Sequence, residues 1–369
     1  HKGDVIDLTI TTFFKSPKSY TGEDMVEISL HGGSAIVGRF ISIFKKNKKV
    51  RYAEPGEFTR RALENNKLDL IQAEAINDLI NAETENQRKE AYNQLEGGPS
   101  TKLKEIHNKI INILAEAEAI IDFADEELPK DTHSKIIEQI GNIIKEIDSY
   151  VSLGLKNRKI QEGYIVGIIG NTNTGKSSFI NHVSNQEVSI VTNQPGTTRD
   201  IVESYMDIDG LPIRFFDSAG LRNSKDMVEK MGIKKSINLA EKSDLNIIFI
   251  EKKSDLKRFI EYKNSIYVQS KKDIRKNPLK NKIVANISSK TGFGVKKLLK
   301  KIKLRLIKKQ YKENNSVSRE RHIFFLKNAK YQLIKAKKNK NYDVFCEDIR
   351  LSLNEVSKIY GKTDIEDVL

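Results

Sequence analysis

Gly170-Asn171-Thr172-Asn173-Thr174-Gly175-Lys176-Ser177 has the spacing G-x-x-x-x-G-K-[ST], which lets a loop hold a phosphate chain. The two glycines permit backbone conformations that aim successive N–H groups at phosphate oxygens, and Lys176 supplies a point charge to the β and γ groups. Ser177 offers a hydroxyl to Mg²⁺. "IVGIIG" ahead of the loop reads as a strand and "KSSFINHV" behind it as a helix, the context such a loop requires.

The choice of base is written further along. Asp217-Ser218-Ala219-Gly220 follows "LPIRFF", where an acid can hold the Mg²⁺ shell and a glycine N–H can sense the γ-phosphate. Ser270-Lys271-Lys272-Asp273 follows "SIYVQ" and resembles the [NT]-K-x-D element of GTPases. Its Asp accepts hydrogen bonds from guanine N1 and the exocyclic amine, a donor pair that adenine lacks. Ser288-Ser289-Lys290 resembles the SAK element that backs the base. "TNQPGTTRD", from Thr192 to Asp200, falls where the first switch belongs, and one of its threonines should complete the Mg²⁺ sphere. Leu221 stands where Ras-like proteins carry a water-orienting Gln, so hydrolysis must use another device.

These strings need a scaffold that gathers strand ends. Between residues 162 and 303, "YIVGIIG", "LPIRFFD", "LNIIFIE", "SIYVQS" and "KIVANIS" alternate with helical stretches, the rhythm of a doubly wound, mostly parallel sheet. From Pro55 to Lys159 the apolar period is helical, with breaks at Gly97-Gly98-Pro99 and Leu128-Pro129, and helical periodicity returns from Lys296 to Leu369. Ahead of these, "DVIDLTITTF" and "DMVEISLHGG" read as strands around a Pro17 to Gly22 loop, followed by a helix "SAIVGRFISIF". The expected fold is multidomain, α/β plus all-α. Residues 1–54 are a truncated N-terminal α/β domain, 55–160 the first part of a long helical domain, 161–305 an inserted Ras-like P-loop GTPase domain, and 306–369 the second helical part. The chain opens on His1 in mid-pattern and stops at Leu369 inside an amphipathic stretch, so both natural ends are expected to be missing.

The chain of 369 residues carries 64 Lys and Arg against 50 Asp and Glu, a formal charge of +14. That excess suits a polyanionic partner or simply a Lys-rich, solvated surface, and charge alone does not choose. A single cysteine, Cys346, excludes an internal disulfide and favours a reducing compartment; its apolar neighbours predict a core thiol. No apolar run approaches the ~20 residues that span a bilayer, so a cytoplasmic protein with no membrane contact is expected. His31, after a strand, reads equally as a ligand contact or a turn residue, and the scattered His107, His133, His182 and His322 offer no metal-site spacing. "KKLLKKIKLRLIKK" places Leu298, Ile302 and Leu306 on one stripe ringed by cations, either the last helix of the GTPase domain with a solvated face or a phosphate contact with RNA.

Taken in order, "SYTGEDMVEISLHGG", "AEPGEFTRRALENNKLDLIQAEAINDLI", "AIIDFADEE", "PGTTRD" and "DSAGLR...VEKMGI" resemble the motifs of the MnmE (TrmE) family of tRNA-modifying GTPases through nearly the whole chain. The first two are more specific than a phosphate loop, because other GTPases have no counterpart.

The resemblance implies a set of roles. GTP contacts fall on Asn173, Thr174, Gly175, Lys176, Ser177 and Ser178; on Thr192, Asn193, Gln194, Pro195, Gly196, Thr197 and Thr198; on Asp217, Ser218, Ala219 and Gly220; on Ser270, Lys271 and Asp273; and on Ser288, Ser289 and Lys290. Mg²⁺ falls to Ser177 and Thr198. A K⁺ ion falls to Asn173, Thr192, Gln194 and Thr197, and the water-orienting carboxylate to Glu229. Formyl-tetrahydrofolate, the one-carbon donor, matches contacts at Glu27 and Lys67. A homodimer, tRNA, and an FAD-dependent MnmG partner in a heterotetramer complete the implied system. Two departures stand out: Ser270 replaces the usual Asn, and the family's Cys-containing tail, C-[IVL]-G-K, lies beyond Leu369. The implied function is a K⁺-activated GTPase acting in modification of the tRNA wobble uridine; the alternative is an RNA-associated GTP switch in ribosome assembly.

Overall fold

In the computed structural model, residues 4–122, 132–171, 173–184, 203–217, 240–251, 254–255, 264–274, 285–307 and 316–361 are described. Ile10–Phe14 (β1) pairs antiparallel with Met25–Ser29 (β2), Thr12 lying opposite Glu27, and Ser34–Phe44 (α1) follows. The alternation starting at Asp4 predicts a longer first strand. The ladder begins only at Ile10, because β2 offers five partners and no more.

The helical region starts with Glu57–Glu64 (α2), Leu70–Ile80 (α3) and Glu85–Leu95 (α4). Reciprocal capping boxes fix the starts of the last two: Asp69 with Gln72, and Thr84 with Gln87, each satisfying two N–H groups that a helix leaves orphaned. Gly98–Asp122 (α5) and Thr132–Glu162 (α6) bury apolar residues at helical spacing: Leu103, Ile106, Ile110, Ile113 and Ala117 on one, Ile136, Ile140, Ile143 and Ile147 on the other.

Glu162 at the end of α6 leads almost directly into Tyr164–Gly170 (β3), followed by Lys176–Ser184 (α7). Glu203–Ile208 (β4), Leu211–Asp217 (β5), Leu245–Ile250 (β6), Ser265–Gln269 (β7) and Ala285–Asn286 (β8) complete a six-stranded sheet in the order β4-β5-β3-β6-β7-β8. Every pairing is parallel except β4 with β5. All six β6 residues are buried, the pattern of a central strand covered on both faces. The edge strand β4 escaped the sequence reading, although its signal was present. Asp209 and Gly210, both at positive φ (50° and 85°), form the two-residue Asp-Gly turn that favours a hairpin between Ile208 and Leu211.

Val295–Leu306 (α8), Glu320–Ala336 (α9) and Tyr342–Ser357 (α10) close the chain's described part. The apolar side chains form two main clusters. One draws on α5, α6, α9 and α10, with Cys346 at 1 % exposure inside it. The other lies under the six-stranded sheet and takes Val295, Leu298 and Ile302 from α8. Lys159 of α6 reaches between them to Asp244 at 2.9 Å, and Asp244 accepts from the Ile165 N–H at the start of β3.

Candidate functional site

The phosphate loop leaves the carboxyl end of β3, at the centre of the sheet, where flanking strand ends form a crevice. Gly170 is required by contact: a Cβ there would lie 2.6 Å from the Phe249 carbonyl oxygen on β6. Asn173 (φ 60°) and Gly175 (φ 93°) turn the backbone through the left-handed region, as a loop must whose N–H groups converge on an anion. Thr174, 1 % exposed, ties the turn by donating its hydroxyl to the Asn171 carbonyl at 2.8 Å.

Lys176 opens α7 and is buried, its ammonium donating to the carbonyls of Gly170 (3.0 Å) and Asn171 (2.7 Å). The cation is thus folded against its own loop, within reach of the anion that the loop's N–H groups would attract. Ser177 and Ser178 are exposed on the first turn of α7.

The segments expected to read the base are physically joined to this loop. Ser270, 3 % exposed, donates its hydroxyl to the Thr174 carbonyl, and Lys271 donates its ammonium to the Asn173 carbonyl at 2.6 Å. Ser270 therefore braces the phosphate loop from the place where the family pattern has Asn. Asp273 is held below its ordinary pKa, chiefly by a hydrogen bond from the Ser288 side chain and further by the nearby charge of Lys290. Ser288 is buried, its N–H donating to the Phe293 carbonyl at 2.9 Å; the Ser289 hydroxyl is buried with no hydrogen-bond partner among the described residues.

Asp217 ends β5 opposite Ile168 of β3, which puts its backbone at the same edge. Thr192 to Thr198, Ser218, Ala219, Gly220 and Glu229 lie outside the described residues. One bracing residue escaped the sequence reading. Asp255 accepts from Asn171 Nδ2 (3.2 Å) and from the Glu251 N–H (2.9 Å), so it steadies the loop from the end of β6. Nothing in its spacing announces that role.

In the N-terminal part, Glu27 is exposed on β2. Lys67 donates to the Pro17 carbonyl at 3.0 Å, and Gly22 packs against its methylenes, so it sits beside the Pro17 to Gly22 loop. No hydrogen bond or ion pair joins Glu27 to Lys67 among the described residues. Within the "EPGEFTRRAL" stretch, Glu57 is buried and gripped by Arg51 (2.7 Å) and Arg61 (2.7 Å), which hold its carboxyl far below the carboxylate range. That cluster explains the acid–base composition of the stretch as scaffold. His31 is tied to the Asp7 carboxylate, through its Nδ1 at 2.7 Å and its N–H at 2.8 Å, rather than to backbone as a turn histidine would be. Among the described residues no helix is long and apolar enough to cross a membrane.

Two family models cover the chain. The "MnmE helical domain" matches residues 70–369, and the "GTP-binding protein TrmE N-terminus" matches residues 1–67. A tRNA modification GTPase MnmE of Pelagibacter ubique is 38% identical over 382 residues, covering 99% of this chain and 85% of the relative. Its counterpart in Aquifex aeolicus is 36% identical over 384 residues, covering 100% and 86%. Among solved structures, the G domain of the T. maritima FeoB iron transporter aligns at 22% identity and TM-score 0.29, over 39% of this chain and 97% of that one. Aquifex aeolicus Era bound to GDP and AlF₄⁻ aligns at 20% identity and TM-score 0.31, over 48% and 69%. With the family's own models matched over residues 1–67 and 70–369 and a phosphate loop of the G-x-x-x-x-G-K-[ST] kind within them, this chain belongs to the MnmE (TrmE) family of tRNA modification GTPases, a GTP hydrolase.

Proposed function

We propose that this chain is a K⁺-activated GTPase that takes part in carboxymethylaminomethyl-type modification, at position 5, of the wobble uridine of certain tRNAs. It works in the cytoplasm as a homodimer and joins an FAD-dependent MnmG partner in a heterotetramer. The observation that carries this reading is the bond between Ser270 and the Thr174 carbonyl, which couples base recognition to the phosphate loop inside a chain matched by the family's N-terminal and helical models. Residues 161–305 form the GTPase unit inserted between helical parts 55–160 and 306–369, behind the N-terminal unit of residues 1–54.

In this scheme Lys176 exchanges two neutral carbonyls for β and γ oxygens, a stronger, charge-assisted pairing. Ser177 and Thr198 hold Mg²⁺, and Asn173, Thr192, Gln194 and Thr197 hold K⁺. Bound there, the monovalent ion supplies the positive charge that an arginine finger supplies elsewhere, worth ~10³ to 10⁵ in rate. Glu229 orients the attacking water. Glu27 and Lys67 are both exposed, which leaves them accessible to formyl-tetrahydrofolate. The exposed Phe13 and Val26, opposite each other on one face of the two-stranded sheet, support a second copy packing there.

GTP turnover measured in K⁺ and in Na⁺ at equal ionic strength tests the reading. Turnover should be at least tenfold faster in K⁺, and equal rates would remove the cation mechanism. Glu229→Ala should retain nucleotide binding and lose about 10² or more in turnover.

A further inference from the structure

The positive charge of this protein is segregated. Residues 295–340 hold 17 Lys and Arg against 2 Asp and Glu, while the rest of the chain holds 47 against 48. One eighth of the sequence therefore carries the whole excess.

Within that stretch, α9 presents a row of side chains to solvent. Phe324 and Tyr331 are seven residues apart, on the same helix face, and 56% and 64% exposed. Lys327 lies between them and Lys335 and Lys338 continue the row, all exposed. Lys330 and Lys335 are engaged with Asp148 (2.5 Å) and Asp348 (2.6 Å), whereas Lys327 makes no ion pair among the described residues. No acidic residue occurs from 321 to 340. The opposite face of α9 is fixed in the core through Ile323, Leu326, Ala329 and Leu333, so the row cannot turn inward. Phe325 packs edge-on against Phe324 at 5.6 Å, with Arg321 and Lys358 5.9 and 5.8 Å from its ring, which makes the base of the patch rigid and cationic.

Single exposed aromatics are ordinary. Two of them about 10 Å apart along one helix face, with an ammonium between them that makes no ion pair among the described residues and with the nearby Asp148 and Asp348 already paired to lysines, form a different kind of surface. Protein interfaces deplete lysine at their cores, and a nucleic-acid duplex is gripped by cations without need of exposed rings. Aromatic faces interleaved with cations suit unpaired bases, which stack on the rings while phosphates meet the ammonium groups.

We propose that this face of α9, with the turn that follows it, is a stacking platform for unpaired bases of the RNA substrate, with bases on Phe324 and Tyr331 and phosphates on Lys327 and, in the turn, Lys338. The proposal rests on the tRNA reading above and assigns it a surface.

The test uses the full chain and an end-labelled tRNA transcript with uridine at the wobble position, followed by fluorescence anisotropy. The double variant Phe324→Ala/Tyr331→Ala should bind about tenfold or more weakly. Lys327→Glu should weaken binding further and flatten the dependence of log K on log salt by about 0.7. GTP turnover without RNA should stay at the wild-type rate in both, which reports that they fold. An unlabelled anticodon stem-loop should compete, and a blunt RNA duplex of equal length should not. Wild-type affinity in the double variant, or equal competition by the duplex, would overturn the platform and leave the tRNA reading standing. Failure of the wild type to bind the transcript at low salt would overturn the tRNA reading and the platform together.

Discussion

The Tyr205 hydroxyl on β4 donates to Oε1 of Gln87 at 3.2 Å, and this bond joins the GTPase sheet to the helical core. The same oxygen accepts from the N–H groups of Glu83 and Thr84, both at 3.0 Å, while Gln87 Nε2 donates to the Gln161 carbonyl at 2.9 Å. One side chain thereby links the edge strand, the start of α4 and the end of α6. Because α6 runs on into the phosphate-loop strand, Gln87 sits on two routes out of the nucleotide site.

Replacing Gln87 with Ala removes a capping box and both cross-links, and should cost about 2 kcal/mol of stability. Tyr205→Phe removes one bond and should cost about 1 kcal/mol. Since the Tyr205 bond is lost in either variant, the double variant should fall short of the sum by about 1 kcal/mol. Urea denaturation of the four proteins gives the coupling; strict additivity would mean that the bond carries no energy.

Glu90 gives a pH dependence. It is 3% exposed, its Oε1 accepting from Gln94 (3.2 Å) and Asn157 (3.0 Å), and burial pushes its carboxyl up to about 7 from 4.5. Between those values the folded chain holds a proton that the unfolded chain has released. The stabilisation is complete below pH 4.5 and is lost as pH rises through 7, a change of ~3 kcal/mol at most. Glu90→Gln keeps the acceptor oxygen and stays neutral. Its stability should match the wild type near pH 5 and exceed it by ~1–3 kcal/mol at pH 8, as read from urea melts at the two pH values. An unchanged pH slope would place the titration elsewhere.

What the sequence made legible follows from the distance over which each feature is encoded. The phosphate loop is a contiguous string between a strand and a helix, and its strand, β3, runs from Tyr164 to Gly170 as read. Helix α1 likewise matches its apolar spacing from Ser34 to Phe44. β4, Glu203–Ile208, carries no apolar run, and its signal lies instead in the Asp209-Gly210 turn that follows it. The bracing role of Ser270 depends on a loop 96 residues away in sequence, which no local pattern can reveal. Glu90 is illegible for the same reason: its partners come from α4 and α6, and only packing brings Asn157 to it.

Asp273 should set base choice. Its carboxylate, held ionised by Ser288, would accept from the two donors on one edge of guanine. An amide offers one donor and one acceptor, which complements xanthine, where a carbonyl replaces the exocyclic amine. Asp273→Asn should therefore weaken GTP binding about 100-fold, the worth of charge-assisted bonds at ~3 kcal/mol, and improve XTP binding. Titration with fluorescent GTP and XTP analogues decides the matter, and unchanged GTP affinity would remove Asp273 from the base site.

Gly154 tests how the two helical parts meet. It lies in α6, where a Cβ would stand 2.7 Å from the Val317 carbonyl oxygen and 3.3 Å from the Val317 side chain. Alanine favours a helix over glycine by ~1 kcal/mol, so propensity alone predicts that Gly154→Ala stabilises. The backbone contact opposes this, because a carbonyl cannot rotate away as a side chain can, and overpacking costs ~1–3 kcal/mol. Residues 316–318 must shift, and Ser318, which donates to Gln161 and accepts from Gln94, moves with them. The net result should be a loss of about 1 kcal/mol or more, measured as a lower melting temperature. Adding Val317→Ala relieves only the longer contact, so it should not restore stability; recovery in that double variant would put the strain on the side chain instead of the backbone.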